Sequence, residues 1–334
     1  WNTDIYSKAI LGRSHRSKIA LSRIKEVIDT TKFLLEIPDN FFIGIVPASD
    51  TGAIEMLLWS LLGEQPVEVL AWESFGNDWV KDIVNQLKIP NTKVTQAKYG
   101  KIINLNDVNF RKDIVFTWNG TTSGVCVPNG DWIPENREGL IICDATSAAF
   151  SMRLPWKKLD ATTFSWQKVL GGEAQHGIII LSPRAMHRLE NFIPNRAIPK
   201  IFQLSNKGKV NKKLFTGSTI NTPSMLCVED ALDSLNWVKQ LGGIEKTIEL
   251  SRKNLLVVEK KIKNSLWLDF LPEEESTRSC TSICLRIKES VLEKYEIDNL
   301  KERMSKIFSF LEEKLEDSKC TLSSFTDVDV LLSI

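Results

Sequence analysis

The fold of this chain is decided by the stretch from Ala161 to Pro183, which reads Ala-Thr-Thr-Phe-Ser-Trp-Gln-Lys-Val-Leu-Gly-Gly-Glu-Ala-Gln-His-Gly-Ile-Ile-Ile-Leu-Ser-Pro. A β-prone run ends in Ser-Trp-Gln-Lys at Lys168, a glycine-bearing loop follows, and residues 177–181 predict a second apolar strand. The pattern places Lys168 where a strand delivers a side chain into a cleft. An amine there can form an imine with a carbonyl compound if its surroundings lower its pKa. A solvated lysine in a turn is the alternative, so the neighbouring motifs have to decide.

A second strand end lies upstream, in the run Gly-Leu-Ile-Ile-Cys-Asp-Ala-Thr-Ser of residues 139–147, where apolar residues give way to Asp144. Alone, such an acid caps a turn more often than it takes part in chemistry. Paired with a lysine at the end of the next strand, it suits pyridoxal 5'-phosphate. A buried carboxylate stabilises the proton on the ring nitrogen of that cofactor, and a lysine holds its aldehyde as a Schiff base. Asp144 and Lys168 are therefore predicted to define the two ends of one ring.

Three further motifs accompany Ser-Trp-Gln-Lys-Val-Leu-Gly-Gly-Glu-Ala-Gln-His-Gly at 165–177. They are Phe-Thr-Trp-Asn-Gly-Thr-Thr-Ser-Gly at 116–124, Ile-Val-Pro-Ala-Ser-Asp-Thr-Gly-Ala at 45–53 and Gly-Arg-Ser-His-Arg-Ser-Lys at 12–18. Together they resemble the phosphoserine aminotransferase family, in the branch of α-proteobacteria and methanogens. The resemblance extends from residue 1 to about residue 286 and weakens over the last forty or so residues.

This resemblance implies a pyridoxal-phosphate enzyme of the α/β aminotransferase fold, fold type I. The implied reaction exchanges an amino group between O-phospho-L-serine and 2-oxoglutarate on one side and 3-phosphohydroxypyruvate and L-glutamate on the other. It belongs to serine biosynthesis, and the family also serves pyridoxine biosynthesis. The implied catalytic residues are Lys168, which holds the cofactor and moves a proton, and Asp144, which keeps the ring electron-poor.

The composition is that of an ordinary soluble enzyme long enough for two domains. Its 43 basic and 42 acidic residues leave a formal charge of +1 without a basic block, which argues against nucleic acid or an anionic membrane as a partner. No apolar run approaches the roughly 20 residues of a membrane span. The six cysteines lack paired spacing, so neither a metal nor a disulfide framework is predicted. The chain begins at Trp1 with no visible leader, and a cytoplasmic location is the expectation.

The motif at residues 12–17 precedes a predicted amphipathic helix, whose apolar positions are Ile19, Ile24, Val27, Ile28 and Phe33. Arginine and histidine before a helix suit the capture of phosphate or carboxylate groups, and a solvated basic turn is an equally good interpretation of the residues alone. The resemblance implies that His15 and Arg16 bind the acidic groups of the substrate.

A small polar loop, Pro-Ala-Ser-Asp-Thr at 47–51, lies between a predicted strand at 41–46 and a predicted helix from Gly52. The N–H groups at a helix start form an anion site, whereas a plain N-cap is the structural alternative. A carboxylate would repel a phosphate, so Asp50 is assigned to capping. The resemblance implies that Ser49 and Thr51 hold the cofactor phosphate.

Three more cofactor contacts follow from the resemblance. Phe75, just past a predicted strand at 67–71, corresponds to an aromatic ring that stacks on the pyridine, although an aromatic there is more often core. Thr121, after a predicted strand at 114–118, corresponds to the threonine that bonds the ring hydroxyl, with a glycine-rich turn as the alternative. Gln167 corresponds to a contact of the phosphate.

The run Asn-Thr-Pro at 221–223 is a sensible helix entrance with proline in the first turn, and capping alone would explain it. The resemblance implies a further role for Asn221 and Thr222, which in the family reach the phosphate of the partner subunit. They thus imply a homodimer with composite sites.

About seven strands alternate with helices between residues 40 and 220, which predicts a mostly parallel sheet with helices on both faces. Helices at 223–241 and 243–263, strands at 267–271 and 281–287 and a helix at 297–315 follow. We therefore expect a large cofactor-binding domain at 1–240, including an N-terminal substrate-binding segment, and a small α+β domain at 241–334.

The chain departs from its branch at the end, where residues 322–334 read Leu-Ser-Ser-Phe-Thr-Asp-Val-Asp-Val-Leu-Leu-Ser-Ile. The family has there an arginine that grips the substrate carboxylate, and neither Arg286 nor Arg303 matches it. Two alternatives therefore stay open. One is another fold type I enzyme, either an alanine–glyoxylate type transaminase or a cysteine desulfurase with Cys280 as its thiol. The other is a catalytically impaired subunit that binds cofactor.

Overall fold

The structure of this protein is a computed structural model that describes residues 7, 9–12, 14–294 and 332–333. Its helices are α1 (Lys18–Leu34), α2 (Ser49–Leu61), α3 (Ser74–Lys81), α4 (Pro183–Asn191), α5 (Met225–Leu241), α6 (Ile244–Lys263) and α7 (Glu289–Lys294). A π-helical turn over Asp82–Gln86 continues α3. Short 3₁₀ helices lie at Leu105–Asp107, Trp156–Lys158, Lys200–Phe202, Lys212–Thr216 and Glu275–Thr277.

The strands in the described part of the chain are β1 (Phe42–Pro47), β2 (Val67–Ala71), β3 (Lys93–Gln96), β4 (Asp113–Thr117), β5 (Asn119–Gly120), β6 (Val125–Cys126), β7 (Ile141–Asp144), β8 (Ala161–Ser165), β9 (His176–Leu181), β10 (Ser205–Asn206), β11 (Lys209–Val210), β12 (Leu268–Phe270), β13 (Cys284–Ile287) and β14 (Leu332–Ser333). Seven of them form a central sheet in the order β1-β9-β8-β7-β4-β2-β3. Its pairings are parallel from β8 through β7, β4 and β2 to β3, while β9 runs antiparallel to β1 and β8. The predicted mostly parallel sheet is confirmed.

Helices cover both faces of this sheet because its strands are apolar on both sides. In β9, Ile178 and Ile180 join the core cluster that includes the buried faces of α1 and α5. Ile179 and Leu181 join the opposite cluster, to which α2, α3 and α4 contribute. The two clusters make the central sheet the middle layer of a three-layer structure, as its alternation with helices predicted.

Helix α1 confirms the amphipathic helix predicted after residue 17, but only part of the predicted apolar face. Ser17 is its N-cap and accepts a hydrogen bond from the N–H of Ala20 at 3.2 Å. Ile24, Val27 and Ile28 are buried as expected, whereas Ile19 and Phe33 are 61% and 71% exposed. Those two fall on the opposite side of the helix from Ile24, because successive residues turn by about 100°.

A second, three-stranded antiparallel sheet follows, in the order β12-β13-β14. Helix α6 packs Ile262 against Phe270 and Leu285 of this sheet, in a small core separate from those of the central sheet. The strands predicted at 267–271 and 281–287 are confirmed with shorter bounds. The predicted helix at 297–315 and Arg303 lie outside the described residues. None of the helices in the described ranges is long and apolar enough to cross a bilayer.

Candidate active site

The carboxyl ends of the neighbouring strands β4, β7 and β8 meet at one edge of the central sheet. A cavity of about 90 Å³ opens there. Asp144 is the last residue of β7, Thr117 is the last of β4, and Lys168 follows β8 by three residues. The cavity is lined by Ser49, Asp50, Thr51, Phe75, Trp79, Thr117, Asn119, Thr121, Asp144, Thr146, Ser147, Gln167 and Lys168. The structure thus brings the predicted lysine and aspartate to one site, as expected for the ligand edge of such a sheet.

Lys168 is half-buried in the wall of this cavity. Burial lowers the pKa of its ammonium group, and the carboxylates of Asp144 and Glu73 act in the opposite direction. Burial is the largest of these effects. A lysine in this setting reaches its neutral, nucleophilic form more easily than a solvated one, which is what covalent chemistry on an aldehyde needs.

Asp144 is only 4% exposed and is held by two donors. The indole Nε1 of Trp79 donates to its Oδ2 at 3.3 Å, and the backbone N–H of Thr146 donates to its Oδ1 at 3.0 Å. Both hydrogen bonds fix the orientation of this carboxyl group. Sequence reasoning missed Trp79; its signal was the spacing from Phe75, since residues i and i+4 share one face of a helix.

The first turn of α2 forms another wall of the cavity, and its backbone is strained. Ala48 and Ser49 both have left-handed φ angles, of 66° and 54°, which cost about 1–2 kcal/mol each in a residue with a side chain. A Cβ at Gly52 would lie 2.4 Å from the carbonyl oxygen of Pro47, so only glycine fits this tight turn. Strain of this kind is typical of ligand-binding loops.

The predicted capping role of this loop is wrong. Ala48 is the N-cap of α2 and makes no side-chain cap hydrogen bond, and Asp50 points instead into the interior, where it is 6% exposed. The first N–H groups of α2 are therefore left without a side-chain cap. Uncapped N–H groups at the positive end of a helix form an anion site, and Ser49 and Thr51 both line the cavity beside them.

A hydrogen-bond network joins three further residues of the cavity lining. Thr121 Oγ1 donates to Ser147 Oγ at 3.0 Å, and Ser147 Oγ donates to the carbonyl oxygen of Asn119 at 3.0 Å. The amide Nδ2 of Asn119 donates to Ser147 Oγ at 2.7 Å. This network places the Thr121 hydroxyl at the cavity, where it was predicted. Sequence reasoning missed Asn119 and Ser147, although both follow predicted strands.

Phe75 and Gln167 flank the cavity from two sides. Phe75, in the first turn of α3, lines the cavity and remains 40% exposed, so that one part of its ring is free to meet a ligand. Gln167 is exposed and accepts a hydrogen bond from the hydroxyl of Ser165. Both line the cavity, and their contacts with a cofactor stay predictions.

Comparison with known proteins identifies the family. No family model matches the chain. A phosphoserine aminotransferase of Methanosarcina barkeri is 55% identical over 276 residues, which are 83% of this chain and 75% of that protein. The chain belongs to the phosphoserine aminotransferase family. The family uses pyridoxal phosphate, as the sequence predicted for this chain.

Solved structures of phosphoserine aminotransferases share the fold of this family member. The enzyme of Cytophaga hutchinsonii superposes with a TM-score of 0.74 at 23% identity, covering 85% of this chain and 80% of that one. The pyridoxal-phosphate-bound enzyme of Trichomonas vaginalis superposes with a TM-score of 0.74 at 18% identity, covering 97% of this chain and 85% of that one. The predicted aminotransferase fold is therefore confirmed.

The polar chemistry of the cavity fits pyridoxal phosphate, the cofactor of this family. Several buried polar atoms of its lining have no hydrogen-bond partner among the described residues, and they are Asp50 Oδ1, Thr117 Oγ1, Asn119 Oδ1 and Thr146 Oγ1. Buried polar atoms are normally paired, so this cluster indicates a polar ligand. An acid, an amine and uncapped helix N–H groups around one cavity match a ring nitrogen, an aldehyde and a phosphate.

Four predicted residues do not reach this cavity within one chain. His15 and Arg16 precede α1, where His15 is half-buried and Arg16 is exposed. Asn221 and Thr222 are both exposed ahead of α5. Their roles in binding stay predictions. Arg286 in β13 faces Asp269, with 3.8 Å between its Nη2 and the carboxylate, and does not line the cavity either.

Proposed function

We propose that this chain is a phosphoserine transaminase, which exchanges the amino group between O-phospho-L-serine and 2-oxoglutarate on one side and 3-phosphohydroxypyruvate and L-glutamate on the other. The observation that carries the proposal is the presence of Lys168 and Asp144 in the lining of one cavity, in a chain 55% identical to a phosphoserine aminotransferase. Serine biosynthesis is the corresponding pathway, and a role in pyridoxine biosynthesis is part of the same proposal.

When bound, pyridoxal phosphate supplies an electron-poor ring that stabilises negative charge on the α-carbon of the substrate. Lys168 would hold the aldehyde end covalently through Nζ and, once released, would move the α-proton of the substrate as a general base and acid. Asp144, oriented by its two N–H donors, would hold the proton on the ring nitrogen. Phe75 would stack on the ring, and Thr121 would bond the ring hydroxyl.

The phosphate is assigned to the start of α2, with Ser49, Thr51 and Gln167 around it. The left-handed turn at Ala48 and Ser49 supports this assignment, because it frees the first N–H groups of the helix from side-chain caps. Backbone N–H groups aimed at one point, together with the helix dipole, bind anions without a lysine or arginine.

Asn221 and Thr222 are proposed to complete the phosphate site of a second copy of the chain, which makes the protein a homodimer. Their exposure, and their absence from the cavity lining of their own chain, support this role. His15 and Arg16 are proposed to bind the acidic groups of the substrate. The division into domains at 1–240 and 241–334, and a cytoplasmic location, belong to the same proposal.

The environment of Cys280 argues against the alternative function as a cysteine desulfurase. Burial raises the pKa of Cys280, and its Sγ lies 3.7 Å from the carbonyl oxygen of Ser151. It lines a different cavity, together with Arg252 and Arg278. A sulfur-transferring cysteine needs a thiolate near the substrate, so neither its environment nor its place fits.

Product analysis with competing acceptors tests the proposed function. The purified protein, loaded with pyridoxal phosphate, is given glutamate with 3-phosphohydroxypyruvate or with glyoxylate, and 2-oxoglutarate is measured. We expect turnover with the phosphorylated acceptor and about tenfold or more less with glyoxylate, because only the former carries a phosphate for the basic N-terminal motif. Preference for glyoxylate would favour the alanine–glyoxylate type alternative. Cofactor binding without turnover of either acceptor would favour an impaired subunit.

A further inference from the structure

Asp50 occupies a position that neither capping nor phosphate binding explains. It is the second residue of α2, it lines the cavity, and it is 6% exposed. It lines the same cavity as Asp144, close enough for the two carboxyl groups to act on each other. Against the dominant effect of burial, the buried hydroxyls of Thr146 and Thr163 beside it act to lower the pKa of Asp50. Two acids thus lie close together in the lining of one cavity.

The groups around the two acids differ in kind. Asp144 accepts hydrogen bonds from the indole N–H of Trp79 and the backbone N–H of Thr146. Beside Asp50 lie the hydroxyls of Thr146 and Thr163, and its Oδ1 has no hydrogen-bond partner among the described residues. An N–H group can only donate, whereas a hydroxyl can also accept, so the proton of the pair belongs on Asp50. The arrangement resembles other carboxylate pairs in which one acid stays protonated because both cannot ionise together.

Burial and charge repulsion support the same distribution of charge. The dipole of α2 favours an ionised acid in its first turn. Burial and the neighbouring carboxylate oppose ionisation more strongly, because a buried charge loses its water and two negative charges repel each other. Accordingly, burial first and Asp144 second raise the pKa of Asp50 well above its usual range.

We propose that Asp50 is a positioning residue, whose protonated carboxyl group donates a hydrogen bond to Asp144 and leaves one negative charge, rather than two, in this part of the cavity lining. This inference rests on the proposed function, since it concerns how that site receives its cofactor. The neutral form has a second effect. It removes a carboxylate from the first turn of α2, where the phosphate is assigned, and so resolves the conflict between an acid and an anion site.

Other titratable groups on neighbouring elements lie close to this pair of acids. They also contribute to the pH dependence of stability. They are Cys143 of β7, Lys168 after β8 and Glu73 ahead of α3. All of them are present in both the wild-type protein and a variant at position 50. A difference between the two proteins therefore reports on Asp50 and its contact with Asp144.

Melting of the cofactor-free protein tests the proton directly. An acid that holds its proton in the folded state and loses it in the unfolded state makes stability fall as pH rises from about 4 toward its folded pKa. Wild-type protein and Asp50→Asn are melted between pH 4.5 and 8, with the surface variant Asp131→Asn as the control. We expect the advantage of Asp50→Asn over wild type to grow steadily as pH rises through this range. A difference that stays constant with pH would overturn the proposal.

Cofactor affinity tests the hydrogen bond. The amide N–H of Asp50→Asn can replace the donor, whereas Asp50→Ala cannot, so we expect pyridoxal phosphate to bind Asp50→Asn within about threefold of wild type and Asp50→Ala about tenfold or more weakly. Pyridoxal, which has no phosphate, serves as the matched ligand. If Asp50 were ionised, Asp50→Asn would bind pyridoxal phosphate more tightly than wild type without a matching gain for pyridoxal, and the proposal would be wrong.

The two experiments separate the inference from the proposed function. A wild-type protein that fails to bind pyridoxal phosphate would refute the function, while the melting series would still decide where the proton lies. Wild-type protein that binds the cofactor, together with equal losses of affinity in Asp50→Asn and Asp50→Ala, would refute the role of Asp50 alone.

Discussion

The cavity at the strand ends and the exposed segments around residues 15 and 221 differ in how completely one chain builds them. The cavity is held by β4, β7, β8 and the first turns of two helices, whose backbones are fixed by the central sheet. His15, Arg16, Asn221 and Thr222 lie on connecting segments, and the last three are exposed. Hydrogen bonds such as those of Trp79 to Asp144 and of Thr121 to Ser147 orient side chains of the first region, whereas the second consists of side chains on connecting segments.

This difference separates two tasks. Cofactor chemistry needs groups held within a fraction of an ångström, which a sheet edge provides in a single chain. Substrate recognition is assigned to the segment of His15 and Arg16, which acts when a substrate binds. Completion of the phosphate site is assigned to the segment of Asn221 and Thr222, which acts when a second copy of the chain binds. Variants in the first region should therefore affect cofactor and chemistry, and variants in the second should affect affinity.

Removing the lysine should have the largest effect. In Lys168→Ala, both the covalent attachment and the proton transfer are lost, and acid–base catalysis alone contributes about 10²–10⁴-fold in rate. We expect turnover to fall by at least that factor and the absorbance band of the attached cofactor to disappear. The exposed Lys157→Ala is the control and should behave as wild type. Retention of the band in Lys168→Ala would move the attachment to another residue.

Neutralising Asp144 should have the next largest effect on turnover. In Asp144→Asn, the protonated ring nitrogen loses its buried counter-charge, and breaking a buried ion pair costs about 3–5 kcal/mol. We expect kcat to fall by about 10²-fold or more, with the covalent attachment preserved, as measured by turnover and absorbance. Asp131→Asn on the surface provides the control. Wild-type kcat in Asp144→Asn would show that this carboxylate does not face the ring nitrogen.

Substitution of residues 221 and 222 should have a moderate effect on cofactor affinity. This effect should depend on a second copy of the chain. Each hydrogen bond to a charged phosphate contributes about 1.5–3 kcal/mol, so Asn221→Ala with Thr222→Ala should weaken pyridoxal phosphate binding by about tenfold or more for each bond that is lost. Thr216→Ala, a nearby exposed position, is the control.

A mixing experiment tests whether residues 221 and 222 act across the dimer interface. The double variant and Lys168→Ala are mixed in equal amounts, and their subunits are allowed to exchange. Half of the dimers are then mixed, and each mixed dimer holds one intact site if residues 221 and 222 act across the interface. We expect about a quarter of wild-type activity after mixing. Absence of any gain over the separate variants would place both residues in the site of their own chain.

Arg16 should have the smallest effect, because an exposed charge contact contributes only up to about 1 kcal/mol. We expect Arg16→Ala to raise KM for O-phosphoserine about fivefold and to leave KM for a neutral amino donor unchanged. Lys18→Ala, at the first position of α1, controls for general loss of basic charge. Equal changes for both donors would show that Arg16 does not recognise the charge of the substrate.

The sequence predicted those parts that depend on local pattern. Alternating strands and helices predicted the sheet, and the β8–β9 stretch correctly placed Lys168 beside the end of a strand. It could not give the antiparallel direction of β9, since apolar strands look alike in either direction. The sequence also did not predict the burial of Asp50 or the hydrogen bond from Trp79 to Asp144. Both depend on a strained turn and on contacts between residues distant in sequence.

In the proposed function, one cavity both attaches the cofactor at Lys168 and accepts a phosphorylated amino donor. An absorbance spectrum of the purified protein, taken with pyridoxal phosphate and again after addition of O-phosphoserine, tests it most directly. We predict a band of covalently attached cofactor that converts to the pyridoxamine form on addition of O-phosphoserine. A band that forms but does not respond to O-phosphoserine would contradict the claim and leave only the cofactor site standing.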